Sequence, residues 1–262
     1  MAHLLIERDG PVVTLTLNRP EVRNAMDAEM LVRLADAWDA IDGDPGVRVA
    51  ILTGAGGHFC TGSDLHLMAS GYADDEWRAR LTKEKDLHWK AFLRSYRLRK
   101  PLVAAVEGYA IAGGLEILQA TDVRIAAAGA KLGLAEARWG LFPLGGSTVR
   151  LRRQIPYAVA MELLLTGRNM AAEEALRVGL VSRVVADGQA LAEARRVAEQ
   201  IAQNGPLAVQ AIKRSVLETE GLPEPEALAR ELEIGWPILA TEDAKEGPRA
   251  FAEKRRPEFK GK

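Results

Sequence analysis

The sequence predicts an α/β fold, with a mixed core over residues 1–200 and a helical region over 201–262. Three observations carry this prediction. Short apolar runs bounded by Gly, Pro and Asp alternate with helix-periodic segments through the first two-thirds of the chain. Beyond "GLVSRVV" almost every segment has helical spacing instead. The composition, 48% hydrophobic and 27% charged, supplies a core of globular size. Strand–helix alternation alone does not separate a doubly wound sheet from a spiral.

"HLLIERD" and "VVTLTLN" flank Asp9-Gly10, a hairpin turn signal. Asp27 is placed to cap a helix to about Asp42, with Met30, Leu31, Leu34, Trp38 and Ile41 on one face. Gly43 and Pro45 end it. "VRVAILTG" reads as a strand that opens into the glycine-rich loop "GAGGHFCTGSD". A long amphipathic helix is expected over about 75–99. "LVAAVEG" is a further strand, "GGLEILQA" a helix and "DVRIAA" another strand. Helices then follow over about 188–203, 206–220, 224–239 and 242–253.

The bulk numbers exclude several function classes. A net charge of -1 gives no global attraction for nucleic acid or a membrane surface. A single cysteine, Cys60, forms no internal disulfide framework and fits a reducing cytosol, so a cytoplasmic protein is expected. "MAHLLIERDG" lacks the basic and apolar regions of a signal peptide. No apolar run reaches the ~20 residues that span a bilayer.

Several motifs have a bland reading beside a chemical one. Gly54 and Gly56 fit the first two glycines of a dinucleotide fingerprint, but Phe59 takes the third place and no clear helix follows. His58, Cys60, Asp64 and His66 lie within nine residues, at a spacing that matches no familiar zinc pattern, so no metal is expected. Cys60 as a nucleophile has no identified base. Residues 76–100 carry nine Lys/Arg against three Asp/Glu, with Trp89, Phe92, Leu93 and Tyr96 as an apolar stripe. That segment is either an amphipathic helix with a solvated basic face or an attractor for a phosphate-bearing ligand.

"IAGGLEILQ" is more pointed. Gly113 and Gly114 open an apolar helix that follows a buried strand, and Glu116 sits in its first turn. Unpaired N–H groups at such a terminus suit an oxyanion forming on a carbonyl. Tight strand–helix packing would also explain the glycines. A second acid, Glu136, stands in the apolar run "KLGLAEARWGLFPLGG". Two such acids near glycine-rich backbone suggest acid–base chemistry on a carbonyl compound.

The runs "LNRPEVRNAM", "ILTGAGGHFCTGSDL", "KPLVAAVEGYAIAGGLEI", "ATDVRIAAAGAKLGLAEARWGLFP", "LLLTGRNMAAEEALRVGLVSRVV" and "AFAEKRRPEF" together resemble the crotonase, or enoyl-CoA hydratase/isomerase, superfamily over nearly the whole chain. The resemblance implies a spiral of ββα turns and a C-terminal helical region that mediates trimer formation. A homotrimer, or a homohexamer built from two trimers, is then expected. It implies an acyl-CoA substrate whose thioester carbonyl is held by the backbone N–H groups of Ser63 and Gly113. Glu116 and Glu136, twenty residues apart, match the two catalytic glutamates of the hydratases: the first holds and activates water, the second protonates the α-carbon. Ser63, Asp64, Leu65 and His66 match a loop that follows CoA largely through its backbone, and His66 stands where a lysine is common. Arg23 matches a position near the CoA entrance, and Phe251 and Lys254 match residues that touch CoA across a subunit boundary.

The resemblance implies no metal or redox cofactor, because the thioester carbonyl in the oxyanion hole supplies the electron sink, and CoA itself is part of the substrate. Ala112 replaces the first glycine of a common GGG run, and "FPLGGSTVRL" replaces the more usual "IPGAGGTQRL" at the acyl pocket. Several runs look most like a bacterial branch of steroid side-chain breakdown. The expected activity is hydration of a trans-2-enoyl-CoA in lipid metabolism. The alternatives are isomerisation or dehydration of a specialised acyl-CoA, or an RNA-binding role for the basic segment. No membrane partner is expected, and nucleic acid is not the expected ligand.

Overall fold

In a computed structural model describing residues 1–71 and 75–262, the Asp9-Gly10 turn folds β1 (Leu4–Asp9) antiparallel onto β2 (Val12–Leu17). Asp27 caps α1 (Ala28–Gly43) by accepting from the Met30 N–H at 2.9 Å, and Trp38 in its middle is fully buried. The chain continues through β3 (Val49–Gly54) and three short helices, α2 (Leu65–Ser70), α3 (Glu76–Lys83) and α4 (Leu87–Ala91). Then come β4 (Leu102–Val106), β5 (Tyr109–Ile111), α5 (Gly113–Leu118), β6 (Val123–Ala127) and β7 (Lys131–Gly133). A 3-10 turn over Glu136–Trp139 precedes α6 (Ser147–Gln154), α7 (Tyr157–Thr166), β8 (Asn169–Ala171), α8 (Ala172–Arg177) and β9 (Arg183–Val185). The rest is helical: α9 (Ala190–Ala202), α10 (Pro206–Thr219), α11 (Glu224–Gly235) and α12 (Glu242–Ala252).

The strands form two sheets. Six run in the order β1-β2-β3-β4-β6-β9, parallel beyond the first hairpin; three run in the order β5-β7-β8. Beyond β3 the chain passes back and forth between them: β4, β6 and β9 enter the large sheet, and β5, β7 and β8 the small one. This repeated step winds the chain into the expected spiral rather than a doubly wound sheet. The central strands β3, β4 and β6 are covered on both faces, so they are apolar on both sides. Val49, Ile51, Val103, Ala105 and Ile125 pack under α9, while Ala50, Leu52, Leu102, Ala104 and Val106 face the main core with α1.

One expected element is broken. Residues 75–99 do not form a continuous helix. Helix α3 ends at Lys83, α4 ends at Ala91, and Leu93 takes a positive φ of 52°. The cause is tertiary. Phe92 packs against Gly113, whereas Asp42 accepts from the Tyr96 hydroxyl and from the Arg99 and Lys100 N–H groups. Those backbone donors cannot also close a helix. The basic surplus of this segment meets acids of α1: Arg80 pairs with Asp36, Lys90 with Asp39 and Arg99 with Asp42. The helix expected over 224–239 also stops early, at Gly235, because Pro237 lacks an N–H; a 3-10 turn, Trp236–Ala240, follows. Among the described residues no helix is long and apolar enough to cross a membrane.

Candidate active site

Strand β5 is three residues long, yet it organises the site. One edge pairs in parallel with β7, Ile111 opposite Gly133. The other edge holds the glycine-rich loop, with the Cys60 N–H donating to the Tyr109 carbonyl at 2.8 Å and the Ile111 N–H to the Cys60 carbonyl at 2.9 Å. The loop, the start of α5 and the Glu136 turn therefore converge although they are far apart in sequence.

The bridge between Met26 and Ser63 aims the first candidate donor. Met26 donates to the Gly62 carbonyl at 2.7 Å and accepts from the Asp64 N–H at 3.1 Å. Backbone groups alternate in direction along an extended segment, so the Ser63 N–H points away from Met26. Ser63 and Gly113 both line a cavity of about 510 Å3, and neither N–H donates to another group among the described residues. Gly62 makes their approach possible: it has φ +88°, and a Cβ there would lie 2.8 Å from the Gly113 nitrogen. Gly114 answers to packing instead, since a Cβ would lie 2.2 Å from the Cys60 carbonyl oxygen. The paired glycines thus have separate causes. Helix α5 has only six residues, so the local donor is the Gly113 N–H rather than a large macrodipole. Ala112, just before it, has φ 52° and ψ −124°, a conformation that favours glycine, and its N–H is held by the Gly133 carbonyl at 2.8 Å.

Glu116 and Glu136 line the same cavity. The Gly145 N–H donates to Glu116 Oε2 at 2.9 Å and the Ser147 N–H to Oε1 at 3.1 Å. Burial pushes the Glu116 carboxyl above its ordinary value, while those two donors, the Ser147 hydroxyl and the charge of Arg150 pull it back. Glu136 differs. It opens the 3-10 turn, its Oε2 is buried with no partner among the described residues, and burial, with the nearby Glu116 charge, pushes it up to about 7. Two carboxyls with unequal environments can divide base and acid roles near neutral pH.

Apart from Thr61 and His88, the remaining side chains of the wall are apolar, Leu65, Met68, Trp89, Phe92, Trp139, Leu141, Phe142 and Leu144 among them. Among the residues matched to CoA, Ser63 and Leu65 line the cavity. Asp64 is buried, caps α2 through the His66 and Leu67 N–H groups, and pairs with Arg19 at 3.1 Å. Its side chain is therefore committed to structure. His66 is exposed on α2, and Arg23 places its guanidinium 5.2 Å from the Tyr109 ring centre. Phe251 and Lys254 are exposed at the end of α12, away from the cavity lining of this single chain.

Cys60 is fully buried and burial pushes its thiol up to about 12, which keeps it protonated at neutral pH. Among the described residues no three His, Cys, Asp or Glu side chains gather as a metal-ligand set. The sequence reading missed Gln119 and Ser147, which lie behind Glu116. The available signal was an amide inside the otherwise apolar "ILQA" run.

The family model for enoyl-CoA hydratase/isomerase matches residues 7–262. The chain is 52% identical over 258 residues to enoyl-CoA hydratase EchA19 of Mycobacterium tuberculosis, covering 98% of this chain and 96% of that one. It is 42% identical to the (E)-benzylidenesuccinyl-CoA hydratase of Thauera aromatica, covering 98% of each. Its structure matches a crystal structure of an enoyl-CoA hydratase from Mycobacterium tuberculosis with a TM-score of 0.91, at 43% identity and full coverage of both chains.

Proposed function

Because this chain belongs to the enoyl-CoA hydratase/isomerase family, we propose that it adds water across a trans-2-enoyl-CoA to give a 3-hydroxyacyl-CoA. The carrying observation is one cavity lined by two open N–H donors and by two carboxyls of unequal character. The thioester oxygen accepts from the Ser63 and Gly113 N–H groups, which draws electrons from the β-carbon. Glu116, held from behind by Gly145 and Ser147, accepts a proton from water as its oxygen bonds to the β-carbon. The enolate then takes a proton at the α-carbon from Glu136. The carbonyl itself is the electron sink, so this mechanism calls for no metal or redox cofactor. A turnover assay on a trans-2-enoyl-CoA should yield the 3-hydroxy product. A product with only a moved double bond would favour isomerisation, and absence of both would remove the enoyl-CoA reading.

The apolar wall and the resemblance to the steroid branch support a long or steroid-derived acyl group. Phe142 and Leu144 are more than half exposed on that wall and have area left to bury against a ligand. We expect kcat/KM for a bulky or long enoyl-CoA to exceed that for crotonyl-CoA by roughly tenfold or more, since each buried methylene is worth about 0.8 kcal/mol. A preference for the four-carbon substrate would sink the bulky-acyl assignment alone.

A homotrimer, or a hexamer of two trimers, completes the reading. Ile212 and Val216 of α10, Leu228 and Leu232 of α11, and Trp236 and Leu239 beyond it expose large apolar side chains, a surface suited to a second copy. Phe251 and Lys254 would then meet CoA bound to a neighbour. Light scattering should give three or six times the chain mass of 28.5 kDa; a monomer at micromolar concentration would reject this assembly. The lone buried cysteine agrees with a cytosolic setting.

A further inference from the structure

His88 stands on the cavity wall as a polar side chain that the mechanism above does not use. Helix α4 carries it, and that helix is pinned to α1. Leu87 and Ala91 are buried, Trp38 Nε1 donates to the Ala91 carbonyl at 3.1 Å, and Lys90 pairs with Asp39. The half-buried His88 ring meets the Trp89 ring edge-on at 4.8 Å between centres and stacks on Phe92 at 5.4 Å. Phe92 in turn packs against Gly113, so one aromatic ring separates His88 from the oxyanion hole. Neither ring nitrogen of His88 has a hydrogen-bond partner among the described residues, and neither is sealed from solvent.

We propose that His88 is a specificity-determining residue: it hydrogen-bonds an uncharged oxygen, a hydroxyl or a ketone, on the acyl chain of the substrate. A chain that fills the cavity displaces water from the imidazole. An apolar chain then leaves the ring nitrogens unpaired, whereas an oxygen set beside them restores the bond. Recognition by His88 presupposes the acyl-CoA reading of the cavity.

The neutral character of the partner follows from the surroundings. Burial holds the imidazole below its ordinary value, so at neutral pH it presents one N–H, one lone pair and no charge. A hydroxyl can answer both groups, and a ketone the N–H. A carboxylate would need a cation. No Lys or Arg lines this cavity among the described residues, and its other titratable side chains are the acids Glu116 and Glu136. Arg94 and Arg150 line a smaller cavity beyond Phe142 and Leu144. Arg94 lies over the Trp89 ring, and Arg150 donates to the Leu93 carbonyl. The Thr61 hydroxyl is directed at the Val22 and Arg23 carbonyls, 3.4 Å from each. The indole N–H groups of Trp89 and Trp139 can only donate.

The test compares trans-2-decenoyl-CoA with counterparts that carry one hydroxyl or one ketone at successive carbons beyond the double bond. In the unaltered enzyme at least one placement should raise kcat/KM roughly tenfold over the plain chain, the scale of one hydrogen bond. His88→Phe keeps the aromatic stack and removes both nitrogens; His88→Leu removes the ring as well. The preference should vanish in each, whereas Trp89→Phe should keep it. If His88→Phe does not fold, His88→Leu carries the test. The same comparison with saturated chains, by calorimetric titration, reads Kd without turnover. A preference that survives both His88 substitutions overturns the proposal, as does the lack of a preference at every carbon. So does a preference for a carboxylate-ended chain that is lost in Arg94→Ala, which would place recognition in the neighbouring cavity. A His88-dependent preference in Kd, with no enoyl-CoA hydrated, upholds the subsite and removes the hydratase reading instead. If no acyl-CoA binds, both fall.

Discussion

Glu136→Gln is expected to lower kcat for hydration at least ~10²-fold while leaving the spiral intact, the scale of a general acid in the proton-transfer step. Gln preserves shape but has no carboxyl proton to give to the α-carbon. Circular dichroism and oligomer size would separate this loss from unfolding. Glu116→Gln is expected to lose a similar factor, and the double variant less than the product of the two, because the pair acts as one unit. Near-normal hydration by Glu136→Gln would remove Glu136 from the mechanism.

The same residue fixes a pH dependence with a definite sign. Glu136 is pushed up to about 7 by burial. Its proton is available below that value, so hydration should decline as pH rises through about 7. It should also decline at low pH, where Glu116, itself above its ordinary value, takes a proton and stops accepting from water. Stability has the matching sign. Between an unfolded value near 4.5 and a folded value near 7, the unfolded chain releases a proton the folded chain keeps, so Glu136 destabilises the fold as pH rises through that window. Glu136→Gln should therefore raise Tm at pH 8 and leave it nearly unchanged at pH 4. The gain at pH 8 is on the order of 2 kcal/mol. An inactive variant with lowered Tm at pH 8 would contradict that account of the buried carboxyl.

Ser63→Pro is expected to lose ~10²–10³ in kcat, the typical effect of removing one oxyanion donor. Proline deletes the N–H and fixes φ. Ser63→Ala keeps the N–H and should change kcat by less than roughly tenfold, about 1.4 kcal/mol. The contrast tests backbone against side chain at one position. Gly62 at φ +88° precedes it, and proline constrains its predecessor, so CoA binding by Ser63→Pro must be measured alongside. If Ser63→Ala were as inactive as Ser63→Pro while still binding CoA, the hydroxyl would be the working group and the backbone assignment would be wrong.

Strong local signals made much of the fold legible. Asp27 before an apolar helical face gave α1, Asp9-Gly10 gave the first hairpin, and runs such as "VRVAILTG" gave the buried strands. Both glutamates were visible as acids in apolar surroundings, and the full motif set carried the family. The broken helix after Asp75 was not visible, because long-range capture by Asp42 overrode a sound amphipathic pattern.

By itself the sequence determined the residue types of the site, the first five strands of the large sheet (β1, β2, β3, β4 and β6) and the helical end of the chain, since each of these rests on periodicity or capping within a short window. Only the tertiary structure decided that the site exists as one place. Strands β5, β7 and β8 are three residues each, too short for a period-2 pattern, and they are strands only because neighbours satisfy their backbone groups. Their pairing brings Ser63, Gly113, Glu116 and Glu136 to one cavity. It also surrounds Glu116 with donors from residues 145 and 147 and leaves Glu136 without them. That asymmetry depends on burial and on partners distant in sequence, and no local stretch encodes it.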